Sequence, residues 1–170
     1  MSDGQSIERH TFAVLVANEP GVLARVIGLF AGRGYNIESL TVAEVDREQG
    51  QSRITLVTSG TRMVIDQIKA QLERLVPIHR VRDLTEEGPF VGRELALVKV
   101  VGDGNRRAEV LRIAEGFSAR IVDSSESSFV FEVTESTEKV DQFLSMMAGL
   151  GRLEVARTGI VALSRGAESI

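Results

Sequence analysis

The chain has 170 residues, 43% of them hydrophobic, with no tryptophan, no cysteine and a formal net charge of -4. This is the profile of an ordinary globular protein; its interspersed charges lack the one-faced Lys and Arg excess of a nucleic-acid binder, and the missing cysteines exclude a disulfide framework, thiolate catalysis and thiolate metal sites. Met1 to Arg9 is polar and the apolar runs are strand-sized, so neither a signal peptide nor a membrane span is expected and the cytoplasm is the expected location.

In chain order, Phe12, Val14 and Val16 alternate and predict a first strand from about Thr11. A helix follows from near Pro20, with Val22, Val26, Leu29 and Phe30 on one face and Gly34 as its stop. Ile37 to Val45 reads as a second strand, Asp46 to Gly50 as a hairpin loop, and Ile54 with Leu56 as the buried face of a third strand. Val64, Ile65, Ile68, Leu72 and Leu75 predict a second helix over Arg62 to Leu75, and Val76 to Leu84 a fourth strand, placed at an edge by Pro77. The order βαββαβ is ferredoxin-like, with strand two at the other edge.

Thr85 to Pro89 breaks the periodicity and reads as a linker, with Phe90 to Arg93 leading out of it. The pattern then repeats: strand Glu94 to Val101, helix Arg106 to Phe117, strand Arg120 to Asp123, and a strand through Phe129, Phe131 and Val133. A helix through Val140, Phe143, Leu144 and Met147 and a strand through Leu153 and Val155 complete it. The predicted class is α+β, two tandem ferredoxin-like units: residues 1–84, a linker 85–93, and residues 94–170. Gly159 to Gly166 reads as a loop or docking surface. Units of about seventy to eighty residues have marginal cores. A homodimer is therefore expected, joined edge to edge at strand two, whose backbone groups lack a neighbour.

The sharpest candidate site lies at the ends of the first helix. Asn18-Glu19-Pro20-Gly21-Val22-Leu23 precedes it and Gly34-Tyr35-Asn36-Ile37 follows it. A helix starting near Pro20 leaves the N–H groups of Gly21, Val22 and Leu23 facing outward at the positive end of the macrodipole, where a carboxylate fits. Asn18 and Asn36 each offer a donor and an acceptor. In an edge-to-edge dimer the turn of one copy and Asn36 of the other close over one pocket, two per dimer. The plainer reading of Asn, Pro and Gly here is a strand-to-helix turn that binds only water.

Catalytic chemistry is sparse. His10 and His79 fall roughly 10–15 Å apart in the predicted sheet, at about 3.3 Å per residue, so one metal cannot take both, and each reads as a surface residue. Gly102 to Arg107 lacks the third glycine of a dinucleotide fingerprint and reads as a turn, and no carboxylates are spaced as an acid and base pair. No catalytic and no metal residues are assigned.

Asn18 to Val26 and Arg33 to Leu40 closely resemble the amino-terminal ACT domain of the regulatory (small) subunit of acetolactate synthase, also called acetohydroxyacid synthase. Glu94 to Val100 and Ala156 to Gly159 resemble that family's carboxy-terminal domain, so the resemblance spans nearly the whole chain. It implies a noncatalytic subunit that binds and activates the catalytic large subunit and confers feedback inhibition by L-valine in branched-chain amino acid synthesis. Thiamine diphosphate and Mg are then expected on the large subunit and no cofactor on this chain. The family's effector site falls on Asn18, Gly21 and Asn36, with the amides of Val22 and Leu23 facing the carboxylate and Val22 and Ile37 near the isopropyl group. A freestanding ACT-type sensor acting on another enzyme or a transcription factor is the alternative.

Overall fold

Alternating apolar residues build the first strand, β1 (Glu8–Ala17), and helical spacing builds α1 (Val22–Arg33) after it. β2 (Ser39–Asp46), β3 (Gln51–Gly60), α2 (Arg62–Arg74) and β4 (Ile78–Asp83) follow. The computed structural model describes residues 6–102 and 104–170, so the first five residues of the polar start and Asp103 of the Gly102 to Arg107 turn lie outside the described residues. The strands order β2-β3-β1-β4, all antiparallel, which puts the second and fourth strands at the edges, as the sequence predicts. Phe12, Val14, Val16, Ile54 and Leu56 form the sheet's side of a core closed by Val26 and Phe30 of α1 and Ile65, Ile68 and Leu72 of α2. Each such side chain contributes about 1.5–3 kcal/mol by leaving water.

The segment read as a linker carries structure. Asp83 accepts from the N–H groups of Thr85 and Glu86 and starts a one-turn helix, α3 (Leu84–Glu87), and the next strand, β5 (Phe90–Val101), already begins at Phe90. Then come α4 (Arg107–Gly116), β6 (Arg120–Ser124), β7 (Ser128–Glu135), α5 (Thr137–Ala148) and β8 (Arg152–Arg157). Their strands order β6-β7-β5-β8, the first sheet's arrangement repeated. Phe131 and Phe143 meet edge to face with centroids 6.1 Å apart in a second core that includes Val98, Val110 and Met147. Ser136 caps α5 by accepting from the Lys139 N–H.

A glycine makes the closure of this second unit possible. A Cβ on Gly151 would stand 2.5 Å from the carbonyl oxygen of Val101, whereas one on Gly149 meets nothing nearer than 3.8 Å. Gly151→Ala is therefore expected to cost about 1–3 kcal/mol, read as a lower urea midpoint at unchanged slope. Gly149→Ala, at a right-handed helical position, serves as the control and is expected to change the midpoint little.

The chain divides into two compact units, one running to Val91 and taking in Ile160–Ile170, the other Gly92–Gly159. This differs from a division that keeps residues 94–170 together, and the cause is an apolar contact. The segment read as a loop holds β9 (Val161–Ser164), and its Ile160 and Ala162 are buried with Ala13, Val57 and Leu84 on the outer face of the first sheet. Ile160 N–H donates to Ser39 Oγ at 2.9 Å, Arg53 donates to the Ala162 carbonyl at 2.7 Å, and Arg165 N–H donates to the Pro89 carbonyl at 3.3 Å. The first sheet is thus covered on both faces, which explains why Thr11, Ala13 and Thr55 are as buried as the alternating valines.

Candidate functional site

Pro20 and Gly21 do not open the helix; they make the turn that precedes it. Gly21 has φ 86° and ψ -8°, and Val22 N–H reaches the Glu19 carbonyl at 3.4 Å. These are the marks of a type II turn with Pro at its second position and Gly at its third. The helix therefore begins at Val22, two residues later than Pro20. Its first intrahelical-type bond is Arg25 N–H to the Gly21 carbonyl at 3.0 Å. The N–H groups of Leu23 and Ala24 have no partner among the described residues, and no side chain caps this end. The outward-facing donors are thus shifted along the chain from Gly21, Val22 and Leu23.

Asn18 is fixed beside them. Its backbone N–H donates to the Gly50 carbonyl at 2.7 Å and its side-chain amide to Glu44 Oε1 of β2 at 3.1 Å, which leaves the side-chain oxygen as an acceptor. Glu44 is in turn held by Arg47 at 3.3 Å. Val22 itself is 5% exposed and packs into the core, so its side chain does not line this end; Leu23, 37% exposed, is the apolar side chain there.

The other end of α1 closes on Gly34 in the left-handed region, with Tyr35 N–H returning to the Phe30 carbonyl at 2.9 Å. Asn36 follows. Its carbonyl accepts from Thr58 Oγ1 at 2.6 Å while its side chain is exposed, and Ile37 packs half-buried against the core. Glu38 closes the segment: the Ser59 hydroxyl, and then Arg9, hold its carboxyl below the usual range.

Within one chain these residues form two half-sites, not one. α1 has 12 residues and at about 1.5 Å per residue keeps its ends roughly 18 Å apart. Asn18, Gly21, Val22 and Leu23 cluster at one end, Asn36 and Ile37 at the other. Beside them runs β2, an edge strand with Val42 and Val45 exposed at 41% and 54%.

The histidines separate. His79 is exposed as the sequence predicts, but His10 is 3% exposed, with Nδ1 2.6 Å from Asp83 Oδ2 and Nε2 3.1 Å from Glu8 Oε2. Strand periodicity carries no signal for this, because Asp83 lies 73 residues away in the chain. Among the described residues no group of three or more His, Asp or Glu is placed to hold a metal ion, and no helix is long and apolar enough to cross a membrane.

Two family models match the chain: one described as the small subunit of acetolactate synthase over residues 93–166, the other as an AHAS small subunit-like ACT domain over residues 12–80. The chain is 47% identical over 158 residues to the probable acetolactate synthase small subunit of Archaeoglobus fulgidus, covering 93% of this chain and 98% of that protein. It is 45% identical over 159 residues to the acetolactate synthase isozyme 3 small subunit of Escherichia coli, covering 93% and 96%. A solved structure, the acetolactate synthase small subunit from Thermotoga maritima, superposes with a TM-score of 0.82 at 36% identity over 95% of this chain and 99% of that one.

Proposed function

Since this chain belongs to the acetolactate synthase small-subunit family, we propose that its first unit senses L-valine and sets the activity of the catalytic large subunit. The chain is a regulatory subunit and the catalytic large subunit is its partner. Thiamine diphosphate and Mg belong, in this reading, to the large subunit, and both subunits to the cytoplasm.

One observation carries the effector reading: each end of α1 offers hydrogen-bonding groups without partners among the described residues, and an open sheet edge runs alongside. A homodimer joined through β2 brings the Asn18 end of one copy to the Asn36 end of the other. The amides of Leu23 and Ala24 then receive the α-carboxylate, with help from the helix dipole. The side-chain oxygens of Asn18 and Asn36 accept from the α-ammonium, and Leu23 and Ile37 flank the isopropyl group. Gly21 keeps the approach to the backbone open.

Two or three charge-assisted hydrogen bonds at about 1.5–3 kcal/mol each, with burial of a branched side chain at about 1.5–3 kcal/mol, are offset by ordering costs. The net, roughly -4 to -8 kcal/mol, is a millimolar to micromolar Kd. Valine held across two copies favours one dimer arrangement while the large subunit is activated by another, so effector and partner act on one equilibrium.

The test is calorimetry of L-valine into the purified chain. Saturable heat is expected, absent with D-valine and weakened at least about tenfold in Asn36→Ala, the loss of one charged hydrogen bond. Equal heat from both enantiomers, or full affinity in the variant, would reject this site.

A further inference from the structure

On the outer face of the first sheet, away from α1 and α2, the returning segment Ile160–Ile170 leaves a cavity of about 340 Å³. A single water needs only about 10–15 Å³, so there is room for a small molecule with its water. Arg53 of β3 and Arg82 of β4 enter it from the sheet, and Leu84, Glu168, Ser169 and Ile170 are among the residues around it. The strand register explains the convergence. Arg53 is opposite Leu15, which is opposite Arg80, and Arg82 is opposite Ala13, so all three guanidinium groups share the face that Ala13 buries.

Their compensation is unequal. Arg82 is paired with Glu87 at 2.5 Å and more loosely with Glu168 at 3.4 Å, whose own side chain is 85% exposed. Among the described residues Arg80 reaches only the Ser169 carbonyl, at 3.5 Å. Arg53, half-buried, has the Ala162 carbonyl at 2.7 Å and no carboxylate among the described residues. Burial, and then the like charge of Arg82, push the Arg53 guanidinium below its ordinary value. Of the two guanidinium groups in this cavity, Arg53 faces the like charge of Arg82 with no carboxylate bonded to it among the described residues, an arrangement that favours an anion between them.

We propose that this cavity binds a small doubly charged anion, inorganic phosphate or a short dicarboxylate, through Arg53 and Arg82. The anion takes the place of Glu168 at Arg82 and supplies the carboxylate or phosphate oxygen that Arg53 lacks. Bound there, it ties the returning segment to the sheet.

Potassium phosphate and sodium succinate, titrated separately into the full chain at constant ionic strength, test this and tell the two anions apart. Saturable heat is expected with at least one of them. Arg53→Met, which keeps the stem and removes the charge, is expected to weaken it roughly ten- to a hundredfold. Glu168→Gln, at an exposed position that removes the competing carboxylate, is expected to tighten it. Asn36→Ala is expected to leave it unchanged, which separates this site from the valine reading. Absence of saturable heat with both anions overturns the proposal, as does unchanged affinity in a folded Arg53→Met chain. If Arg53→Met fails to fold, Glu168→Gln decides: tighter binding supports the site and unchanged binding overturns it.

Discussion

Replacing His10 with alanine is expected to destabilise the first unit by about 1–3 kcal/mol, the cost of leaving a buried hydrogen-bonding oxygen without its partner. The Asp83 side chain is 1% exposed. Its Oδ1 is satisfied by the N–H groups of Thr85 and Glu86 at 3.1 and 3.2 Å, but its Oδ2 has the His10 ring at 2.6 Å. Alanine removes that ring, leaves the oxygen buried and opens a void beside Phe12, whose ring centroid lies 6.4 Å from that of His10. The damage spreads because Asp83 also starts α3, which presents Leu84 to the outer layer. Urea denaturation of the variant measures the loss. A double variant, His10→Phe with Asp83→Asn, is expected to recover only part of it: the amide oxygen still caps α3 and no carboxylate is left buried, but the amide N–H groups stay unpaired against the ring. A loss below about 1 kcal/mol, the size of an exposed pair, would show that water reaches Asp83.

The second large effect is functional. Gly21→Val is expected to reduce L-valine affinity by at least about tenfold and to leave the chain folded. At φ 86° a Cβ would meet nothing within 4 Å, so the obstacle is the backbone itself. A β-branched residue in the left-handed region costs on the order of 1–2 kcal/mol, and relief comes by untwisting the turn. Untwisting moves the Leu23 and Ala24 amides, which the proposed carboxylate site requires at fixed spacing. Tenfold is about 1.4 kcal/mol, the same size as the strain. Calorimetry gives the affinity and circular dichroism the fold; valine affinity equal to that of the unaltered chain would show that these amides do not hold the ligand. Activation of the large subunit, which does not use this turn in the proposed scheme, is expected to persist with weakened valine inhibition.

The regular parts of the fold are legible in the sequence because periodicity is local. Ile65, Ile68 and Leu72 repeat at helical spacing and Phe129, Phe131 and Val133 alternate, and the helix and the strand stand where these patterns place them. The turn at Pro20-Gly21 is not, because proline suits a first helical turn and the second position of a type II turn equally well; only the φ of Gly21 separates them. The outer layer is hidden for another reason. Ile160 and Ala162 lie in a run of only four apolar residues, Ile160-Val161-Ala162-Leu163, too short and too uniform to show a period, and their partners Ala13 and Val57 lie on the strand faces that alternation assigns to solvent. His10 and Arg53 escape notice in the same way, since an isolated polar residue on a strand gives no sign of what the chain later lays over it. The effector residues are visible by type and by their places at the two ends of the first helix, while the helix start at Val22, and with it which amides face outward, is not.

The first unit's boundary also bears on how the protein is made. Its outer layer is supplied by residues 160–170, so the second unit, Gly92–Gly159, is threaded into it as an insertion. During synthesis the nascent sheet must wait, with Ala13 and Val57 bare, until the ribosome has delivered the whole of the intervening unit. At about 5–20 residues per second this is a delay of several seconds. A message cut short after Gly159 would release a chain whose second unit is complete and whose first unit is missing a wall.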